Sequence, residues 1–116
     1  MKKAAGTVKP FMSAEVQTGG ALTAWQTANN GGTNRGSYGA AAASNQVFVL
    51  GGTGPVASRE SGAFVAGGTL ASVNAIPGVL VVAREMMGTA LGSGRIFVVG
   101  GNTGAGITDS VESMVW

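Results

Sequence analysis

Two short apolar stretches, each followed by a pair of glycines, dominate the pattern of hydrophobic and polar positions along the chain. Residues 47–50 read VFVL and residues 96–99 read IFVV, and turn-forming Ser, Asn or Gly residues come shortly before both. β-branched and aromatic runs of this length between turn residues predict buried strands of a hairpin. The chain is therefore predicted to be an all-β protein.

The two stretches belong to a longer repeat with a period of 49 residues. Residues 35–52 align without a gap with residues 84–101, so that Arg35 corresponds to Arg84 and Phe48 to Phe97. A period near 50 is typical of a repeat in which each unit forms one propeller blade of four strands. The other identical pairs are Gly39 with Gly88, Ala41 with Ala90, Ser44 with Ser93, Val49 with Val98, Gly51 with Gly100 and Gly52 with Gly101.

Small residues precede each apolar stretch and glycines follow it. Residues 38–43 read YGAAAA and residues 87–91 read MGTAL, which favours strands packed tightly near a central axis. The glycine pairs permit positive φ angles and a close approach of neighbouring backbone. We therefore expect a substitution in either pair to cost more stability than its size suggests.

A weaker repeat adds two more strands to each unit. Residues 13–25 resemble residues 61–73 once a gap of one residue is allowed, with Leu22 over Leu70, and the opening of this stretch recurs at residues 110–116. Gly19-Gly20 and Gly67-Gly68 lie at matching places and predict a turn between a third strand and an outer strand.

The order of these residues resembles the kelch repeat. Arg, Gly, an aromatic-containing strand, a glycine pair and a Leu before a Trp follow one another, and the resemblance covers residues 13–116. It implies antiparallel four-stranded β-propeller blades, although Val73 or Asn74 stands where the outer-strand Trp of the first full unit is expected. The residues that carry it are Arg35, Gly39, Phe48, Gly51, Gly52, Leu22 and Trp25 and, in the second unit, Arg84, Gly88, Phe97, Gly100 and Gly101.

The resemblance divides the chain into a tail and about two blades. Residues 1–12 form the tail, residues 13–25 the outer strands of a preceding blade, and residues 35–83 and 84–116 the two repeat units. Propellers close with about four to eight blades. We therefore expect completion by other chains, either in a homo-oligomer, where about three copies would give about six blades, in another symmetric oligomer, or in a larger protein assembly.

The last unit lacks the fourth strand of its blade in this alignment. The segment GGALTAW, residues 19–25, carries the matching outer-strand sequence at the other end of the chain. We expect this segment of the next copy to supply the missing strand by strand exchange, so that a chain without residues 1–25 would not assemble.

Composition favours burial of the surface by partners. Charged residues make up only 10% of the chain, against about 25% in ordinary soluble domains. The net charge of +2 comes mostly from Lys2, Lys3 and Lys9. Because no basic stripe alternates with stacking aromatics, we expect no nucleic-acid partner.

We expect neither a secretory signal nor a membrane span. The longest apolar stretch, residues 73–83, contains Pro77 and Gly78 and is shorter than the roughly 20 residues that a bilayer requires. The chain has no cysteine, so redox chemistry does not identify its compartment. Cytoplasmic and virion-associated locations both remain open.

Few side chains could support catalysis. With no His, no Cys and five carboxylates, we expect no enzyme activity, no cofactor and no metal site. Glu60 and Asp109 fall on matching places of the repeat, as do Glu15 and Glu112, which predicts hydrogen bonds and ion pairs at blade edges. Arg35 and Arg84 either have a structural role in each blade or bind an acidic partner, and Arg84 with Glu85 is expected to be a surface pair.

The sequence thus favours a non-enzymatic structural or protein-interaction module that self-assembles, as a component of a larger particle, fibre or virion surface. The alternative is a glycan-binding propeller in which Trp25, Trp116 and Tyr38 stack on sugars. Trp116 and Trp25 are also candidates for an interface with a neighbouring copy. A fragment of an oxidase-like or sialidase-like propeller is a third interpretation, but the metal-binding histidines and cysteine of such relatives are absent.

Overall fold

The computed structural model of the protein describes residues 12–27, 36–65, 70–71 and 73–116. This part of the chain forms eleven short strands and no helix, and every strand pair is antiparallel. The all-β prediction is confirmed. Arg35, the Gly67-Gly68 turn and residues 1–11 of the predicted tail lie outside the described residues.

The first sheet has four strands in the order of the sequence: β3 (Gly39–Ala43), β4 (Gln46–Leu50), β5 (Arg59–Ala63) and β6 (Asn74–Ala75). Ser44 and Asn45 form the two-residue turn between the first two strands, with φ angles of 48° and 61°. Positive φ at both turn positions matches the twist of a tight hairpin.

The second sheet repeats the first with three strands: β7 (Gly88–Gly92), β8 (Arg95–Val99) and β11 (Val111–Val115), in the order β7-β8-β11. Its first two strands begin and end 49 residues after β3 and β4, and their turn has φ angles of 49° at Ser93 and 72° at Gly94. Within the described ranges no fourth strand pairs with β11.

Two further hairpins lie outside these sheets: β1 (Met12–Ser13) with β2 (Gln26–Thr27), and β9 (Asn102–Thr103) with β10 (Gly106–Ile107). The β1–β2 hairpin has the register of the β5–β6 hairpin, since the pair Ser13–Gln26 recurs 48 residues later as Ser61–Asn74. The strand–turn–strand prediction for residues 13–25 therefore has a counterpart in the fold, but the outer strand β2 follows the predicted segment 19–25, in which Leu22 forms only an isolated bridge with Val16.

The third strands correct two predicted equivalences. Glu60 of β5 pairs with Val49, and Glu112 of β11 pairs with Val98. Glu112 is therefore the counterpart of Glu60, and the prediction that Asp109 holds this place is wrong. The cause is the loop before the third strand, which has eleven residues (100–110) in the second unit and eight (51–58) in the first, because it includes the β9–β10 hairpin. The predicted match of Glu112 with Glu15 is wrong as well, because the register of β1 with β2 puts Met12 at the place of Glu60.

The core lies between the two sheets. Phe48 and Leu50 of the first sheet pack with Ile96 and Val98 of the second, and Leu80 from the connecting segment joins them. The innermost strands β3 and β7 lie side by side. The Thr89 hydroxyl donates a hydrogen bond to the Ala40 carbonyl at 2.6 Å, which links these two strands directly.

Candidate interaction surface

The guanidinium of Arg84 is fully buried at the beginning of the second repeat unit. Its Nη1 donates to the carbonyls of Gly100 at 2.8 Å and Ser110 at 3.0 Å. Its Nη2 donates to the Glu112 carboxylate at 2.7 Å and to the Ser110 hydroxyl at 2.8 Å. Arg84 thus links the end of β8 to the beginning of β11 by hydrogen bonds.

Glu112 binds the segment that connects the two sheets. Its carboxylate oxygens accept hydrogen bonds from the backbone N–H groups of Val81 at 2.5 Å and Val82 at 3.0 Å. The prediction that Arg84 and Glu85 form a surface pair is wrong, because the Arg84 side chain is buried and its charge partner is Glu112. Burial also leaves this guanidinium inaccessible to an acidic partner.

The glycine pairs allow the loops to close against residues 84 and 85. Gly51 has a φ of 64°, and a Cβ at that position would lie 2.5 Å from the Arg84 carbonyl oxygen. Gly101 has a φ of 100°, and its Cβ would lie 2.6 Å from the Glu85 carbonyl oxygen. A side chain at either position would meet backbone atoms that cannot move aside, and positive φ adds strain.

The two sheets carry the same side chains on corresponding faces. Ala41, Phe48 and Ser61 lie in one cross-strand row of the first sheet. The corresponding row of the second sheet is Ala90, Phe97 and Ser113. The first row faces the second sheet, whereas the second row lies on the opposite face from Ile96 and Val98 and thus points away from the first sheet.

This outward face of the second sheet is apolar and open to solvent. Val99 is 44% exposed, whereas its counterpart Leu50 is 0% exposed because the second sheet covers it. Val111 and Val115 lie on the same face as Val99 and are also exposed. We define the outward face by Ala90, Phe97, Val99, Val111 and Val115. Contiguous exposed apolar surfaces of this kind are typical of interaction sites.

The β1–β2 hairpin exposes apolar side chains whose counterparts are buried. Leu22 is 54% exposed and Leu70 is 4% exposed, and each forms the isolated bridge of its hairpin. Trp25 is 61% exposed, while Val73 at the matching position is 4% exposed. The hairpin therefore exposes apolar side chains at positions whose counterparts, Leu70 and Val73, are covered.

Trp116 connects the two sheets within one chain. Its indole N–H donates a hydrogen bond to the Ser44 hydroxyl in the turn between β3 and β4. The ring remains partly exposed, and Tyr38 is exposed as well. The structure therefore gives Trp116 a contact inside the chain, and its predicted contact with a neighbouring copy stays a prediction.

A groove of about 390 Å³ lies between the connecting segment and β11. Val79, Val81 and Val111 contribute apolar walls, and Arg59 lies at its margin. The Arg59 Nη1 approaches the Met114 sulfur at 3.3 Å, Nη2 donates to the Pro77 carbonyl, and the buried Nε has no hydrogen-bond partner among the described residues. Nowhere in the described ranges do three His, Cys, Asp or Glu residues come together as metal ligands would.

The described part of the chain has no helix of the length and apolarity needed to span a membrane. No protein-family model matches the chain, and no curated protein matches it significantly.

Proposed function

We propose that the protein is a non-enzymatic structural and protein-interaction module that self-assembles through kelch-like propeller blades. One observation carries the proposal: besides the short β9–β10 hairpin, the described strands form one four-stranded sheet, one three-stranded sheet, and a separate hairpin with the register of a third and fourth strand. Among the described residues no strand lies beyond β11, and the outward face of the second sheet is apolar and exposed. Both features support assembly with further sheets.

The register identifies the strand that would complete the second sheet. In the first sheet, β6 pairs with Glu60 and Ser61. The counterparts on β11 are Glu112 and Ser113, beside which the described part of the chain places no fourth strand. Strand β2 of another copy would place Gln26 opposite Ser113, as Asn74 stands opposite Ser61.

Strand exchange has a small cost and a clear gain in this geometry. Leaving β1 breaks a ladder of two residue pairs, and joining β11 forms an equivalent ladder. The gain is burial of Leu22 and Trp25, whose counterparts in the first sheet are almost fully buried. Burying apolar area at about 25 cal/mol per Å² favours the exchanged form.

Repetition of this junction forms a closed ring or a larger particle. With about two blades per chain, about three copies would give a ring of about six blades. The charged fraction of 10% is consistent with a surface that other chains cover. A fibre, a particle or a virion surface are assemblies in which such a module would serve.

Native mass spectrometry and light scattering test the proposal. We expect the full chain to form a multimer, and we expect a chain without residues 1–27, which lacks both strands of the β1–β2 hairpin, to be monomeric. Leu22→Asp and Trp25→Asp should act like the deletion, whereas Ile107→Asp, at an exposed apolar position of the β9–β10 hairpin, should not. A full chain that remains monomeric at every concentration refutes self-assembly.

A glycan-binding propeller is the second candidate. The observation that favours it is the exposure of Trp25 and Tyr38, since exposed aromatic rings can stack on sugar rings. A panel of oligosaccharides should then raise the melting temperature of the chain, and Trp25→Ala should remove the shift. If no sugar on the panel raises the melting temperature, this candidate fails.

A further inference from the structure

The row of residues through which the first sheet packs on the second recurs on the outward face of the second sheet. The first sheet packs on the second through the row Ala41, Phe48 and Ser61, and the outward face repeats this row as Ala90, Phe97 and Ser113. Phe48 is buried, whereas Phe97 is only half-buried. The same row of side chains is therefore covered by a sheet in the first case and more exposed to solvent in the second.

The glycines at the ends of the inner strands show the same difference. A Cβ on Gly39 would lie 2.8 Å from Cγ2 of Thr89, because the inner strand of the second sheet lies against it. At Gly88, the counterpart of Gly39, a Cβ would meet only the Val99 carbonyl of its own sheet, at 3.8 Å. The outward face therefore has room for an inner strand as close as the one that covers Gly39.

The repeat also specifies which surface would fit there. The first sheet is covered by Ile96 and Val98 of the second sheet. Their counterparts 49 residues earlier are Val47 and Val49, which lie on the far face of the first sheet, the side that points away from the second sheet. On that far face Val49 and Glu60 are already buried within the chain, whereas Val47 is half-buried and Ala40 and Ala42 beside it are exposed, so the accessible part of this face lies around Val47. We call Ala40, Ala42 and Val47 the far face. Among the described sheets this face repeats the covering pattern of the second sheet, with Val47 at the place of Ile96 as its accessible apolar residue.

We propose that the outward face of one copy binds the far face of a second copy head to tail, which repeats between chains the packing of the first sheet on the second. The inference rests on the proposed self-assembly and assigns its sheet-to-sheet contact. Two different surfaces meet in this contact, so it is heterologous and continues into a ring or a filament. The copy whose β2 joins β11 also supplies the far face, because its β1–β2 hairpin comes directly before its first sheet in the chain.

The experiment places a charge on each surface separately. Val99→Lys alters the outward face and Ala42→Lys alters the far face. Because an unpaired charge would be buried in the contact, we expect each variant alone to raise the dissociation constant at least about tenfold, measured by light scattering. Ile107→Lys is the matched control, since its position is exposed and lies on neither face, and it should associate like the unaltered chain.

Mixing the two variants distinguishes a head-to-tail contact from a symmetric one. The Val99→Lys chain keeps an intact far face and the Ala42→Lys chain keeps an intact outward face. We therefore expect the mixture to form one-to-one heterodimers that neither chain forms alone. If the outward faces instead paired with each other, Ala42→Lys would associate normally and the mixture would contain no such heterodimer.

The outcomes separate this inference from the proposed function. An assembling full chain in which Val99→Lys assembles equally well overturns the face contact and leaves self-assembly standing. A full chain that never assembles overturns both. Circular dichroism and thermal melting verify folding of each variant, and Val111→Lys, on the same face and exposed, replaces Val99→Lys if the latter does not fold.

Discussion

The carboxylate of Glu112 lies 2.7 Å from the guanidinium of Arg84, and this contact joins the third strand of the second sheet to the segment that enters it. The Arg84 side chain has no solvent exposure. Its other hydrogen bonds go to the carbonyls of Gly100, Ser110 and Val82 and to the Ser110 hydroxyl. The pair therefore stabilises the open sheet through a buried network, although that sheet has no fourth strand in the described ranges.

We predict that Glu112→Ala destabilises the chain strongly. The substitution leaves a buried guanidinium without its counter-charge and removes the acceptor for the N–H groups of Val81 and Val82. Breaking a buried pair from one side costs about 3–5 kcal/mol. Urea unfolding followed by circular dichroism measures the loss.

Two further variants check the cause. Asp109→Asn is the matched control, because Asp109 is exposed, and it should leave the unfolding midpoint nearly unchanged. Arg84→Met combined with Glu112→Leu should recover only the part of the loss that the unpaired charge causes, since the N–H groups of Val81 and Val82 still lack their acceptor. Equal effects of Glu112→Ala and Asp109→Asn would contradict this account of the pair.

A second prediction concerns the first glycine pair. Gly51→Ala combines a φ of 64° with a Cβ that would lie 2.5 Å from the Arg84 carbonyl oxygen. Strain at positive φ and the steric overlap together should cost about 2–5 kcal/mol. Urea unfolding of the variant tests this magnitude.

Two other glycines separate strain from overlap. Gly54 has a φ of 98° and open space around its Cβ position, so Gly54→Ala should cost only the strain, about 1–2 kcal/mol. Gly104 also has open space and no positive φ, and Gly104→Ala should be nearly neutral. If Gly51→Ala proves as mild as Gly104→Ala, the close approach of the loop to Arg84 is wrong.

The hairpins at the inner side of each sheet could be predicted from the sequence because the repeat is uninterrupted there. Residues 35–52 and 84–101 have the same length, and a two-residue turn fixes the register of each hairpin. Repeat length and turn are sufficient for these hairpins because the paired strands are adjacent in the sequence. They do not specify which face enters the core, since VFVL and IFVV are apolar at every position: Phe48 and Leu50 enter it from the first sheet, but Ile96 and Val98 from the second.

The third strands and the buried arginine required the structure. The β9–β10 hairpin lengthens one loop by three residues relative to the other (100–110 against 51–58), which shifts every later position of an ungapped alignment. The dipeptide Glu-Ser, at 60–61 and 112–113, was the signal that could have revealed the shift. No local pattern identifies Arg84 as buried, because its partners lie 16 to 28 residues later in the chain.

The last prediction compares Phe48 with Phe97, which occupy the same position in their sheets. Phe48→Ala removes a ring that is almost fully buried between the sheets, and cavity formation there should cost about 3–5 kcal/mol of folding free energy. Phe97 is half-buried on the outward face, so in the dissociated chain Phe97→Ala should cost less than about half of that amount. Urea unfolding at concentrations below assembly measures both losses.

The order of effects should reverse when association is measured among folded chains. Phe97 contributes directly to the outward face, and its truncation should raise the dissociation constant at least about tenfold. Phe48 lies inside one chain, so Phe48→Ala, assayed under conditions where it is folded, should leave that constant within a few-fold of the unaltered chain. Since the two residues share residue type, strand position and neighbours in the row, the only difference that can produce this reversal is a second sheet on Phe48 and a second copy on Phe97. Equal losses in folding and no change in association for Phe97→Ala would mean that the outward face does not form the contact.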